Sequence, residues 1–83
     1  MNTMENRIAR IIGRAAMIDD SQVRAETNLT ELGMDSLARI ECVLGLEDAF
    51  KIELEQSDLW KVKTVQDVID LVDHALSVER AAC

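Results

Sequence analysis

The sequence predicts an all-α domain of four helices, three longer and one short, with a long loop between the first and the second. Three observations support this fold class. No proline, internal repeat or low-complexity run interrupts the chain. The apolar residues are almost all aliphatic, with one Phe, one Trp and no Tyr, which suits helices packed on helices. Several segments also repeat apolar residues at helical spacing. We therefore expect residues 1–83 to form a single helical bundle.

The first helix is predicted in "TMENRIARIIGRAA", with Thr3 or Asn2 available as its N-cap. Its apolar residues fall on one face: Met4, Ile8, Ile11, Ile12 and Ala15. Residues 17–34 show no sustained periodicity and are rich in Asp, Ser, Thr and Asn. A loop of this length in a small domain needs anchors or a function. Its candidate anchors are Ile18, Val23, Leu29 and Leu32.

The second helix is predicted to begin after Asp35, which serves as its N-cap, and to end after Phe50. Gly33 precedes it and can adopt a backbone conformation that strains other residues. No strand is predicted, because "VKTV" is too short and lies next to a helix cap.

Two more helices follow. "QSDLW" predicts a short third helix capped by Ser57. Thr64, with Asp67 three residues later, is typical of a capping box at the start of the last helix. The apolar stripe of that helix is Val65, Val68, Ile69, Val72, Ala75 and Leu76.

The second helix carries two distinct faces. One is a core stripe made of Val43, Leu46 and Phe50, with Ile40 at its edge. The other, which we name the acidic strip, alternates apolar and acidic side chains: Leu37, Glu41, Leu44 and Asp48. Two interpretations are open. The leucines belong to a wide core face beside ordinary solvated charges, or the strip is a docking surface.

The charge balance excludes several classes of partner. Sixteen acidic against nine basic residues give a net charge of −7, which repels nucleic acids and anionic lipid surfaces and favours partners with basic patches. The alternative interpretation of the net charge is that it only keeps the protein soluble.

No apolar run is long enough to span a membrane, and two cysteines do not make a disulfide framework. We expect a cytoplasmic monomer with free thiols and no stable membrane insertion.

Ser36 lies just inside the start of the second helix, and its role is the main functional question. A nucleophilic serine in an enzyme needs a base, and the only histidine is His74, near the end of the last helix. The sequence has no metal-ligand spacing and no glycine-rich phosphate loop, so we expect no catalytic residues. Ser36 is either an ordinary first-turn residue or a covalent attachment point used by another enzyme. A phosphate ester there would face the positive end of the helix dipole.

A longer sequence pattern bears on the choice between these two roles of Ser36. "LTELGMDSL", the later "TVQDVIDLV" and the residues between them resemble the acyl carrier protein family across nearly the whole chain. The most specific part is the Leu-Gly-x-Asp-Ser-Leu core from Leu32 to Leu37. The supporting positions in the second helix are Ile40, Glu41, Val43, Leu46, Glu47 and Phe50.

The resemblance implies an acyl-carrier-like four-helix bundle with a 4′-phosphopantetheine arm on Ser36, where Asp35 and Leu37 complete the cofactor-binding residues. A separate holo-carrier-protein synthase, a phosphopantetheinyl transferase using Mg²⁺, would transfer the arm from coenzyme A. Acyl cargo would then be carried as a thioester to enzymes of fatty acid or specialised lipid or polyketide synthesis, so the protein would be a carrier and not an enzyme.

The resemblance also implies two sets of contact residues. Acyl-loading, condensing or transfer enzymes with basic patches would contact Asp35, Leu37, Glu41, Leu44, Glu47 and Asp48. An acyl chain could enter the core among Val43, Leu46, Leu54, Leu59 and Val62, which could equally be ordinary core residues.

Some positions differ from the usual family pattern. Ala38 and Arg39 follow "DSL" where further acid is usual, Met34 precedes the Asp, and Trp60 occupies a position that is usually polar. These departures favour a specialised discrete carrier over the general fatty acid carrier. An aminoacyl or other non-fatty carrier remains an alternative, as does a non-covalent acidic helical adaptor that gives Ser36 no role.

Overall fold

The computed structural model describes the backbone of residues 3–82, and the side chains of that range apart from positions 56 and 79–82. Its first helix, α1, spans Thr3–Ala16. Ile8 and Ile12, four residues apart, are fully buried, as expected for one face of a helix. Thr3 is already helical, so of the two proposed N-caps only Asn2 precedes the helix, and it lies outside the described residues.

The loop after α1 is fixed to the rest of the protein. Of its predicted anchors, Val23 and Leu29 are buried, and Ile18 and Leu32 pack against the core. Met34 is a further buried anchor, which the sequence pattern did not predict. The loop also contains a short 3-10 turn, Asp20–Gln22.

Backbone hydrogen bonds join this loop to the start of the last helix. The N–H of Leu29 donates to the carbonyl of Lys63 at 2.8 Å, and the N–H of Gln66 donates to the carbonyl of Ala25 at 2.8 Å. Asn28 and Thr64 form an isolated β-bridge, and the described part of the chain contains no strand. The long loop is therefore a structured connection.

The second and third helices are α2, Ser36–Phe50, and α3, Gln56–Lys61. The start of α2 agrees with the sequence prediction, but the predicted Ser57 cap of α3 is wrong. Ser57 lies inside the helix and Glu55 is the N-cap. The backbone N–H of Glu55 donates to the Asp58 carboxylate at 3.3 Å, so this acid three residues on fixes the helix start.

The last helix, α4, spans Val65–Ala82. Its predicted capping box is confirmed, because the Asp67 N–H donates to Thr64 Oγ1 at 3.2 Å and the Asp67 carboxylate accepts from the N–H of Thr64 at 3.1 Å. The predicted stripe faces inward, with its first four residues buried and Ala75 and Leu76 partly buried. His74 is exposed in the middle of α4, eight residues before its end.

The core is almost entirely aliphatic and receives side chains from α1, α2, α3, α4 and the long loop. The buried face of α2 is Ala38, Cys42, Val43 and Leu46, so Ala38 and Cys42 belong to the core while Ile40 and Phe50 are half-buried. Burial raises the pKa of the Cys42 thiol to about 12. The four helices, with no strand in the described residues, confirm the predicted all-α fold.

Candidate functional site

Ser36 is the first residue of α2, and its side chain is exposed. Asp35 precedes it in an extended conformation, and Asp35 Oδ1 accepts a hydrogen bond from the N–H of Ala38 at 2.9 Å. This cap satisfies one of the N–H groups that a helix start leaves unpaired. The serine hydroxyl is therefore presented to solvent at the positive end of a helix dipole.

The turn before Asp35 explains why Ser36 faces outward. Gly33 has φ +79°, a left-handed conformation that costs glycine little and other residues more. Met34 follows with its side chain buried, and its N–H donates to the Leu29 carbonyl at 3.2 Å. Because the chain is anchored inward at Met34 and capped at Asp35, the next residue emerges at the surface.

The acidic strip is exposed along its whole length. Leu37 and Leu44 are 64% and 59% exposed, and the side chains of Glu41 and Asp48 are also exposed. The interpretation of the two leucines as part of a wide core face is therefore wrong. Asp48 lies 3.8 Å from the Lys51 ammonium, but both side chains are largely exposed and such a pair adds little stability.

Glu47 differs from the rest of the predicted partner face. It is half-buried, and Glu47 Oε2 accepts a hydrogen bond from the N–H of Leu54 at 3.0 Å. This contact fixes the segment that connects α2 to α3. The Glu47 carboxylate thus has a hydrogen-bond partner within the protein, which makes it less available to a docking enzyme than a solvated carboxylate.

The candidate acyl-pocket residues share one region of the core. Val43, Leu46 and Leu59 are buried, while Leu54 and Val62 are partly buried and pack against the same cluster. They come from α2, from α3 and from the segments that flank α3. These side chains fill the core in this structure, so a chain entering there would have to displace them.

Arg39 is the residue near Ser36 whose role the sequence did not reveal. Its guanidinium does not project into the acidic strip, because Nη1 donates to the carbonyl of Leu59 in α3 at 2.6 Å. The guanidinium also lies 5.9 Å from the centroid of the Trp60 ring, whose side chain is 49% exposed. The sequence feature that could have indicated a special role for Arg39 is its position as a basic residue in the first turn of an otherwise acidic helix.

Other chemistry finds little support among the described residues. They contain no group of three or more His, Cys, Asp or Glu side chains placed to hold a metal ion. The Cys42 thiol is buried with a raised pKa, which disfavours the reactive thiolate. Within residues 3–82, no helix combines the length and the apolar character needed to cross a membrane.

Comparison with known proteins agrees with this geometry. Residues 6–72, which include Ser36, match the family model described as a phosphopantetheine attachment site. The chain is 39% identical over 74 residues to acyl carrier protein 1, chloroplastic, of Casuarina glauca, covering 89% of this chain and 54% of that protein. It is 33% identical over 75 residues to the chloroplastic acyl carrier protein of Brassica napus, covering 89% and 56%. The chain thus spans about half the length of these curated relatives.

A solved structure shows the same fold over nearly the full length of both chains. The acyl carrier protein of Thermotoga maritima superposes with a TM-score of 0.74 at 29% sequence identity, covering 93% of this chain and 96% of that chain.

Proposed function

Because the chain belongs to the phosphopantetheine attachment site family, we propose that it is an acyl carrier protein that carries its 4′-phosphopantetheine arm on Ser36. The choice of Ser36 as the attachment residue rests on one observation. The Ser36 hydroxyl is exposed at the capped start of α2, where a separate enzyme can reach it. Residues 1–83 would then form one carrier domain.

The residues around Ser36 suit a phosphodiester. A negatively charged group on this hydroxyl would lie at the start of a 15-residue helix, where the dipole stabilises an anion by about 0.3–1 kcal/mol. Asp35 has one carboxylate oxygen occupied by the cap at Ala38 and so holds the helix start in place. Leu37, exposed beside Ser36, offers an apolar contact to whatever protein approaches the arm.

When attached, the arm supplies a thiol on which an acyl group is held as a thioester. The protein itself then binds each partner enzyme, orients the arm toward it and releases the enzyme afterwards. The Cys42 thiol is buried and its pKa is raised, which disfavours a reactive thiolate, and we propose a carrier acted upon by other enzymes.

The acidic strip supports docking to such enzymes. Two exposed leucines and two exposed carboxylates lie along α2 directly after Ser36. Acidic groups attract a partner's basic patch from a distance and raise the encounter rate, while a small apolar contact allows rapid release. We propose that a phosphopantetheinyl transferase and acyl-loading, condensing or transfer enzymes use this face. Glu47 would contribute less, because its carboxylate bonds Leu54.

The cargo is proposed to be an acyl group of fatty acid or specialised lipid or polyketide synthesis. The aliphatic residues of the candidate pocket could receive such a chain, since burying each methylene group contributes about 0.8 kcal/mol. An amino acid is the alternative cargo. We propose a cytoplasmic location, as the sequence predicts, although the plant relatives are named chloroplastic.

The experiment is a priming reaction on purified apo protein with coenzyme A, Mg²⁺ and a broad-specificity transferase, read by intact mass. Wild type should gain one phosphopantetheine, and Ser36→Ala should gain none. Ser57→Ala, which removes another exposed serine hydroxyl, should be modified like wild type. An unmodified wild type, or a labelled Ser36→Ala variant, would refute the assignment.

The exposed strip also fits a non-covalent adaptor, and the same variants separate the two functions. An adaptor would bind its partner equally well after Ser36→Ala and would carry no arm in its native cell. A carrier recovered from that cell would carry the arm, and the mass of its thioester cargo would distinguish acyl from aminoacyl groups.

A further inference from the structure

Arg39 joins α2 to α3 through a set of contacts that we name the Arg39 clasp. Its Nη1 donates to the carbonyl of Leu59 at 2.6 Å and, more weakly, to that of Val62 at 3.4 Å. Its guanidinium also faces the Trp60 ring, 5.9 Å from the centroid. All three partners lie within the last turn of α3 or its C-cap. A cation suits this end of a helix, where carbonyl groups are left unpaired.

The clasp is partly shielded from solvent. Arg39 is half-buried, Leu59 is buried and Val62 packs against the core. Hydrogen bonds from a charged donor are stronger than those between neutral groups, and partial burial strengthens them further. Separating α3 from α2 therefore costs more than the apolar contacts alone would require.

The clasp also adjoins the candidate acyl pocket. Leu59 and Val62, whose carbonyls it holds, are two of the proposed lining residues. Leu59 belongs to the same core cluster as Val43 and Leu46 of α2, and Val62 packs against that cluster. These side chains fill the core, with Val43, Leu46 and Leu59 buried. A chain that entered between α2 and α3 would have to move α3 away from α2, and that movement would break the bonds that Arg39 makes.

We propose that Arg39 is a specificity-determining residue that makes the core costly to open, so that short or polar acyl groups stay outside the bundle and only longer chains enter it. The inference rests on the proposed carrier function. The cost of breaking the clasp does not depend on the cargo, whereas the gain from burial grows with each methylene group. Arg39 should therefore raise the shortest chain length that enters the core by about two to four methylene groups.

The test uses the full chain loaded on Ser36 with acyl-phosphopantetheine arms, transferred from acyl-coenzyme A, of even chain length from butyryl to tetradecanoyl. Entry of the chain is read from the backbone amide signals of Val43, Leu46 and Leu59. Protection is read from the rate at which hydroxylamine cleaves the thioester. Arg39→Met, which keeps a long apolar stem and removes the donors, is compared with wild type.

In Arg39→Met the core signals should shift at chains about two to four carbons shorter than in wild type. At those lengths its thioester should be cleaved about tenfold more slowly, because the chain draws it toward the bundle. Arg24→Met makes the same charge change at an exposed loop residue and should match wild type. Arg39→Leu, which also lacks a side-chain donor, replaces the Met variant if that variant does not fold.

The outcomes separate the two proposals. If wild type takes no arm on Ser36, the carrier function fails. If every protein is loaded but wild type and Arg39→Met share one threshold length, the role of Arg39 is overturned while the carrier function stands. An equal shift in Arg24→Met would also overturn it, because net charge would then explain the change.

Discussion

The Asp35 carboxylate accepts a hydrogen bond from the backbone N–H of Ala38 at 2.9 Å. Asp35 lies one residue before the candidate attachment serine, and Ala38 lies two residues after it. Asp35→Ala should destabilise the protein by about 1 kcal/mol, since it removes the only side-chain cap of α2. Asp35→Asn keeps an oxygen acceptor and should lose much less. Urea unfolding of the apo proteins measures both, and equal losses in the two variants would show that charge, not capping, is the contribution.

The second prediction concerns acid stability and Asp67. Backbone hydrogen bonds from Lys63 and Thr64 lower the pKa of the Asp67 carboxyl below its ordinary value of 3.8. A carboxyl with a lower pKa in the folded state stabilises the protein above the unfolded-state pKa, and that stability is lost as the pH falls through the folded-state pKa. We expect Asp67→Asn to flatten the loss of unfolding free energy below about pH 4.

Asp73→Asn serves as its control, because it removes one exposed carboxylate from the same helix outside the capping box. It corrects for the change in net charge. Asp19, whose pKa is also lowered, chiefly by the hydrogen bond from the Ser21 N–H, should account for part of the acid dependence that remains. An Asp67→Asn protein with the full wild-type slope would contradict the prediction.

The third prediction concerns the end of α1. Met17 is 90% exposed and has φ +61°, and the N–H of Ile18 donates back to the Gly13 carbonyl at 2.9 Å, an arrangement in which glycine is usual. Met17→Gly should stabilise the protein by about 0.5–1 kcal/mol, because relief of the left-handed strain exceeds the entropy cost. Met17→Ala keeps the strain and should give no gain in thermal unfolding, so a matching gain there would count against strain relief.

The fourth prediction tests electrostatic steering by the acidic strip. Glu41→Lys should slow priming by the transferase about two- to fivefold at low salt, with a smaller effect at high salt because exposed charges are screened. Asp73→Lys makes the same charge change at an exposed residue of a different helix, α4, and should slow priming much less. Equal initial rates for Glu41→Lys and wild type at low ionic strength would remove the steering argument.

The fifth prediction concerns Cys42. Because burial raises the pKa of its thiol to about 12, the thiolate is scarce and reagents cannot reach it in the folded protein. In apo protein with Cys83→Ser, labelling of Cys42 by a disulfide reagent at pH 8 should occur only through unfolding. Its rate should rise with added urea, and rapid labelling without urea would show that the core opens locally at α2.

The sequence predicted the parts of this structure that depend on local patterns. The cap at Asp35, the capping box at Thr64 and the left-handed Gly33 all use residue types whose local chemistry is specific, and the structure contains each of them. The family resemblance is confirmed as well, through the matched family model and the shared fold.

The sequence was less informative where two local caps compete and where the fold brings separated groups together. Ser57 had the better capping side chain by type, but the chain uses Glu55 because Asp58 bonds its N–H. The sequence identified Arg39 only as a departure from the family pattern, and only the fold brings the α3 carbonyls to it. Glu47 was assigned to the partner face, and its contact with Leu54 depends on the path of the chain after α2.

The buried side chain of Met34 has a consequence for protein engineering. The pentapeptide from Gly33 to Leu37 contains the turn, the cap and the serine, and it could be transplanted to the start of another helix as a labelling tag. Met34, however, occupies a niche in this core and bonds Leu29. A host protein without a matching buried site would contain the five residues, but nothing would hold their serine hydroxyl toward solvent.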